Sequence, residues 1–158
     1  MTDTDRILRE HVVKLLDGRQ AHVGMDSTID KLSLDDLSRK PEATPWTLWE
    51  LFEHIRIAQW DIVEFTKRAE HQSPEYPKGY WPNDDAPQDA DAWEQSVASF
   101  RHDLAAMKAM VLDPEVDLHA KIPHGDGQTI LREAMLIADH NAYHLGQMVL
   151  MMKMLGRW

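Results

Sequence analysis

The sequence predicts an all-α protein: an up-down four-helix bundle with long irregular connections, formed by a single domain over residues 1–158. Four segments carry apolar residues at helical spacing, and no stretch of useful length alternates between apolar and polar residues as a half-buried strand does. A length of 158 residues suits one compact core rather than two. Long helices joined in this way form bundles in which neighbouring helices cross at about 20°.

The first predicted helix covers residues 5–16, and Gly18 suits its end. Its apolar positions recur three and four residues apart, and charged residues stand between them. The apolar set is Ile7, Leu8, Val12, Leu15 and Leu16, and the charged set is Arg6, Arg9, Glu10 and Lys14. A short helix over residues 29–37 is compatible with the next segment, where apolar anchors are few.

The second long helix ends near Arg68, and two residues compete for its start. Thr44 precedes Pro45, and proline is favoured at the first helical position because its missing N–H has no helical partner there. Thr47 is followed three residues later by Glu50, which matches a capping box. Both starts lead into the same apolar stripe.

An irregular connection follows over residues 71–91, where four prolines prevent a regular helix. We expect an ordered crossover that packs its aromatic residues, Tyr76, Tyr80 and Trp81, on the bundle. The acidic side chains that follow are expected to face solvent; they are Asp84, Asp85, Asp89, Asp91 and Glu94.

The third long helix is predicted over residues 93–112 and stops before Pro114. A second irregular connection covers residues 115–127. The last helix is expected to open at Asp126 or Gly127 and to run over residues 128–155, with apolar residues on almost every side.

Composition excludes several classes of function. The chain has 17 Lys and Arg against 27 Asp and Glu, a formal net charge of −10, and no long basic run. Binding to nucleic acid or to an anionic membrane is disfavoured, because both need a cationic surface. Cysteine is absent, which excludes disulfides, thiolate metal sites and a cysteine nucleophile. A thiol substrate from solution stays compatible with the sequence.

The sequence gives no sign of export or membrane insertion. The first residues are charged and show no apolar region typical of a secretory signal, and no apolar run is longer than that of residues 148–152. We therefore expect a cytoplasmic protein with neither a nucleic acid nor a membrane as its partner.

Nine histidines are many for this length, and the last helix carries two of them four residues apart, His140 and His144. This spacing places both imidazoles on one helix face, where they can reach one ion. Five others stand among charged or loop residues and are expected at the surface: His11, His71, His102, His119 and His124. The spacing alone is a weak signal, but two imidazoles in an apolar helix need polar partners.

His54 is the best candidate for a third ligand, because it lies in the middle of the second long helix. Facing helices of a bundle can supply one and two ligands respectively, and three imidazoles leave coordination positions open, as catalytic sites do. The alternative is a metal-free core in which the imidazoles bond to carbonyls, to Asp139 or to Glu53. Asp61 and Gln147 are further candidates for orienting a ligand, although Asp61 is expected to face solvent; Tyr143 is expected to pack.

Three segments resemble the DinB-like (damage-inducible, DinB/YfiT-like) family of metal-dependent enzymes. They are residues 47–61 (TLWELFEHIRIAQWD), 122–129 (IPHGDGQT) and 138–147 (ADHNAYHLGQ). The resemblance spans nearly the whole chain, and the last segment is its most specific part. It implies a four-helix bundle, often a homodimer, in which His54, His140 and His144 bind a divalent metal ion, zinc or nickel.

The resemblance leaves the reaction open between a thiol-dependent transferase and a hydrolase. A metal ion in an open three-histidine site would activate a thiol or water, and the missing cysteine points to a low-molecular-weight thiol from solution. Glu50 lies one helical turn before His54 and is the candidate for a ligand-orienting group or a general base. The alternative is a non-catalytic bundle that binds a metal or small ligand as a stress or interaction protein.

Overall fold

The computed structural model describes residues 2–158, and within this range the chain is helical and contains no β-strand. The all-α prediction is therefore confirmed. The helices are α1 (Asp3–Asp17), α2 (Met25–Ile29), α3 (Leu34–Leu37), α4 (Leu48–Lys67), α5 (Ala90–Leu112) and α6 (Ile130–Met154), with a 3-10 turn at Lys78–Tyr80. None of the described helices has the length and apolar character needed to cross a bilayer.

Threonine side chains define where α4 and α6 begin. The N-cap of α4 is Thr47 and not Thr44. The Thr47 hydroxyl accepts from the backbone N–H of Glu50, and the Glu50 carboxylate accepts from the N–H of Thr47 at 2.7 Å. The last helix opens later than expected, because Thr129, and not Asp126 or Gly127, caps the N–H of Arg132. Side-chain oxygens in these positions satisfy N–H groups that have no helical partner.

The single short helix expected over residues 29–37 is in fact two helices, α2 and α3. Ser33 separates them, since its backbone N–H and its hydroxyl both donate to Asp36 Oδ2, at 3.0 and 2.6 Å. This local capping starts α3, whereas α2 has already ended at Ile29. Asp36 also accepts from Arg157 at 2.6 Å, which ties the C-terminal residues to α3.

Helix α4 lies centrally and packs on both α5 and α6, and α1 packs on the same two helices. Two clusters of buried apolar residues fill the spaces between them, one around Phe52 and Phe100 and one around Met107 and Ile137. This packing places the middle of α4 directly beside the middle of α6. The predicted ligand positions are on these two facing stretches.

Arg9 is buried in α1, whereas the sequence places it among the charged residues between apolar positions. Only 4% of its surface is exposed, and its guanidinium donates to the carbonyls of Val111, Asp113 and Val116 at 2.7–2.8 Å. Asp5 accepts from the Arg9 Nε–H at 2.9 Å. Arg9 thus satisfies the Val111 and Asp113 carbonyls at the end of α5, where helical partners run out, and the Val116 carbonyl just after it.

The crossover between α4 and α5 is ordered, and most of its predicted aromatic packing is confirmed. Trp81 stacks on Trp46 with ring centroids 4.7 Å apart, and the Thr47 hydroxyl donates to the Asp85 carbonyl at 2.7 Å. Tyr76 is the exception, because 84% of its surface is exposed. The predicted acidic residues of this region do face solvent.

Candidate metal centre

Three imidazoles from α4 and α6 meet between the two helices. One ring nitrogen from each of His54, His140 and His144 lies within 4.8 Å of the others. His54 Nε2 is 3.2 Å from His144 Nε2 and 3.2 Å from His140 Nε2. The four-residue spacing on α6 and the central position of His54 on α4 therefore produce the predicted cluster, which is compatible with metal binding.

Hydrogen bonds at the other ring nitrogen orient two of these imidazoles. His54 Nδ1 lies 2.9 Å from the backbone oxygen of Tyr80. Because a carbonyl only accepts, His54 Nδ1 carries the proton and its Nε2 carries the lone pair. His144 Nδ1 lies 3.0 Å from Gln147 Oε1, the same arrangement with a side-chain amide. Metal-binding histidines usually donate their second N–H in this way.

The environment keeps all three imidazoles neutral near pH 7. Burial lowers the pKa of His54 and of His144, although their bonds to Tyr80 and Gln147 act in the opposite direction. Burial, together with the repulsion that a protonated ring would meet from protonated His144 and His54, lowers the pKa of His140 to about 4. Since a metal ion binds only the neutral ring, these shifts favour a ligand role.

The lowered pKa of His140 predicts a pH-dependent stability in chelator-treated protein. Below pH 6.5 the unfolded chain protonates this imidazole while the folded chain resists protonation until about pH 4. We therefore expect the free energy of unfolding to fall as the pH is lowered from 6.5 towards 4. Urea unfolding at several pH values measures the slope, which should be shallower for His140→Gln than for the exposed control His11→Gln. Equal slopes would contradict the assignment.

Aromatic rings cover one side of the cluster. Trp81 stacks on His54 with centroids 4.2 Å apart and planes 6° from parallel, so His54, Trp81 and Trp46 form a continuous stack. The ring centroids of Tyr143 and His144 are 4.8 Å apart in an edge-on arrangement. Because 65% of the Tyr143 surface is exposed, the predicted packing role of Tyr143 is wrong. An apolar cavity of about 100 Å³ adjoins Trp46 and Gln147.

Asp61 is buried and only 8% of the His71 side chain is exposed, so the predicted exposure of both is wrong. His71 Nε2 lies 2.7 Å from Asp61 Oδ1, and the Tyr80 hydroxyl donates to Asp61 Oδ2 at 2.6 Å. Burial and the bond to Asp61 raise the pKa of Tyr80 to about 12. Tyr80 therefore links Asp61 to His54, because its hydroxyl binds the first and its carbonyl the second. Sequence spacing gives no signal for this link, since it depends on the path of the crossover.

Three other carboxylates stand apart from the imidazole contacts. Glu50 Oε2 caps its own helix, as the capping box predicts. Glu53 binds Arg56 through two hydrogen bonds of 2.6 and 2.8 Å, and Asp139 is exposed. Within residues 2–158, His54 thus bonds to a backbone carbonyl and His144 to a side-chain amide, and none of the three cluster imidazoles bonds to Asp139 or Glu53.

Comparison with known proteins supports the family resemblance. The model of the DinB superfamily matches residues 19–148, which include all three histidines, the whole of α4 and most of α6. No curated protein and no solved structure matches the chain significantly. Because the family model covers most of the sequence, this chain belongs to the DinB superfamily.

Proposed function

We propose that His54, His140 and His144 bind one divalent metal ion through their Nε2 atoms, with zinc or nickel as the metal. The observation that carries this proposal is the convergence of three Nε2 atoms: those of His140 and His144 each lie 3.2 Å from that of His54. The His54 Nε2 lone pair can accept only one proton, yet it faces two other imidazole nitrogens. A single cation satisfies all three lone pairs at once.

We further propose that the site serves a metal-dependent enzyme of the thiol-dependent transferase or hydrolase type. Three protein ligands leave at least one coordination position free, and a bound ion lowers the pKa of a thiol or water held there. The chain has no cysteine, so the nucleophile comes from solution, as water or a low-molecular-weight thiol. The small-molecule substrate would meet the wall formed by Trp46 and Trp81 and the exposed ring of Tyr143.

The resemblance and the sequence supply the remaining parts of the proposal. They are a single domain over residues 1–158, an up-and-down helix order, a homodimer and a cytoplasmic location. Glu50 is retained as the candidate base or ligand-orienting group, although its Oε2 atom already accepts from the N–H of Thr47.

A panel of thiols and electrophiles, assayed with zinc-loaded and nickel-loaded protein, tests the enzymatic proposal. We expect turnover that requires both the metal and a thiol, or the metal alone for hydrolysis, and that is lost in His140→Ala/His144→Ala. Glu50→Gln keeps an acceptor for the helix cap and should lower the rate about a hundredfold if Glu50 is the base.

The engagement of Glu50 in the helix cap favours a second candidate, a metal-binding bundle without turnover. Stoichiometric metal with no turnover across the panel would contradict the enzymatic proposal and support this candidate. Tight binding of a small molecule to the loaded protein, measured by calorimetry, would then define its role.

A further inference from the structure

A partly enclosed cavity of about 220 Å³ lies between α1, α5 and α6, and none of the three clustered histidines lines it. Its walls come from the end of α1, the segment that follows Gly18, and the facing stretches of α5 and α6. Packed protein interiors leave few spaces larger than one water molecule. A space of this size between helices of a bundle is typical of a ligand site.

Short side chains and the end of α1 keep the cavity open. α5 contributes Ala105 to its lining, and α6 contributes Ala138 and Ala142. A methyl group fills little of the space between helices whose axes lie about 8–10 Å apart. α1 ends at Gly18, whose left-handed φ of 63° turns the chain away from the helix axis.

The floor of the cavity, formed by its buried lining residues, is apolar and belongs to the core. Leu16, Phe100 and Leu145 line it, and none of them is more than 5% exposed. Leu104 also lines the cavity and packs against both core clusters. Water finds few hydrogen-bond partners on such a floor, so an aliphatic chain that displaces it gains free energy.

The rim of the cavity, formed by its charged lining residues, carries more positive than negative charge. Arg19, Arg101 and Lys108 are the cations, and Asp17 and Asp26 are the carboxylates. Asp26 lies 2.9 Å from Arg101 Nε and 3.4 Å from Arg19 Nη2, whereas Asp17 pairs with Lys108. Two carboxylates therefore serve three cations, in a chain whose net charge is −10. The rim is electrostatically suited to an anion.

Arg101 keeps the donors that a further carboxylate needs. Within residues 2–158, Arg101 bonds to Asp26 through Nε–H, and neither of its terminal amino groups has a protein acceptor. Half of the Arg101 side chain is exposed, so a ligand can reach it. A guanidinium binds a carboxylate through two parallel N–H groups, and Arg101 can do so without giving up Asp26.

We propose that this cavity is a second ligand site, which binds an aliphatic monocarboxylate of about eight carbons with its chain on the apolar floor and its carboxylate on Arg101. A methylene group occupies nearly the volume of a water molecule, roughly 30 Å³, so the cavity holds about seven such groups besides the carboxylate. The proposal does not depend on the metal centre, since the cavity and the histidines share no residue.

Calorimetric titration of chelator-treated protein with octanoate tests the proposal. We expect saturable binding of one octanoate per chain. Hexanoate should bind about tenfold more weakly because it lacks two methylene groups, and octanol about tenfold more weakly because it lacks the charge. No saturable binding of octanoate, or octanol binding as tightly as octanoate, would overturn the proposal.

Filling the cavity tests its location. Ala105 is an exposed position of α5, so Ala105→Leu adds a side chain to the cavity without disturbing the core. We expect Ala105→Leu to weaken octanoate binding by about tenfold or more. The matched control is Ala109→Leu, one turn further along α5, where the residue is exposed and does not line the cavity. Equal affinity of Ala105→Leu and the wild type would overturn the proposal.

Removing the rim charge tests the head-group contact. Arg101→Gln should weaken octanoate binding by about tenfold and leave octanol binding unchanged, whereas Arg6→Gln, an exposed arginine outside the cavity, should change neither. Equal losses for octanoate and octanol in Arg101→Gln would contradict the carboxylate contact. Urea unfolding shows that each variant folds. The double variant His140→Ala/His144→Ala should bind octanoate as the wild type does, so failure of the metal site and failure of this site are distinguishable.

Discussion

Replacing His140 and His144 together with alanine is expected to abolish stoichiometric binding of Zn²⁺ and Ni²⁺. The double variant removes two of the three converging Nε2 donors and leaves only His54, which cannot hold a divalent ion tightly alone. Elemental analysis of untagged protein measures the loss directly. The single variant His144→Ala should also lose stoichiometric metal.

Thermal or urea unfolding gives the same result as a free energy. At a free metal concentration a thousandfold above Kd, binding to the folded state alone stabilises the wild type by about 4 kcal/mol. We expect the double variant to gain nothing from added metal. His11→Ala, an exposed histidine on α1, should behave as the wild type. An equal gain in all three proteins would place the metal elsewhere.

Replacing Arg9 with leucine is expected to lower the free energy of unfolding by about 3–5 kcal/mol, because a buried network loses its central donor. Three carbonyls at and after the end of α5 would lose their partner, and Asp5 would lose its ion pair. Urea unfolding of chelator-treated protein measures the effect independently of the metal site.

Arg6→Leu is the matched control for Arg9→Leu. Arg6 lies on the same helix and pairs with Glu10 at 2.7 Å, but both side chains are exposed. An exposed pair of this kind contributes about 0.2–1 kcal/mol. If both variants lost the same stability, the carbonyl contacts of Arg9 would have no special role in joining α1 to α5.

The long helices could be predicted because their signals are local. The capping box of Thr47 and Glu50 is contained in four residues. The apolar periodicity of a helix is visible in the spacing of residues within that helix alone. The predicted helix boundaries are wrong where two local capping signals compete for the same helix start. Ser33 divides a predicted helix by capping α3, and Thr129 replaces Asp126 or Gly127 as the start of α6.

The three-histidine cluster was predictable for a different reason. The spacing of His140 and His144 is fixed by the helical repeat, and a central position on a facing helix is enough to bring His54 to them. The hydrogen bonds behind the cluster follow no such rule. Tyr80, for example, reaches His54 across 26 residues.

The sequence by itself determined the helical class, the long helices and the residues that form the cluster, because periodicity and capping act within a few residues. Only the tertiary structure decided that Arg9 and Asp61 are buried, that the His71 side chain is covered, and which oxygen faces His54 and His144. The physical reason is that a buried polar group must find a partner wherever the packed helices and the crossover bring one. That partner is set by the path of the chain through space, and residue spacing along the sequence does not contain it.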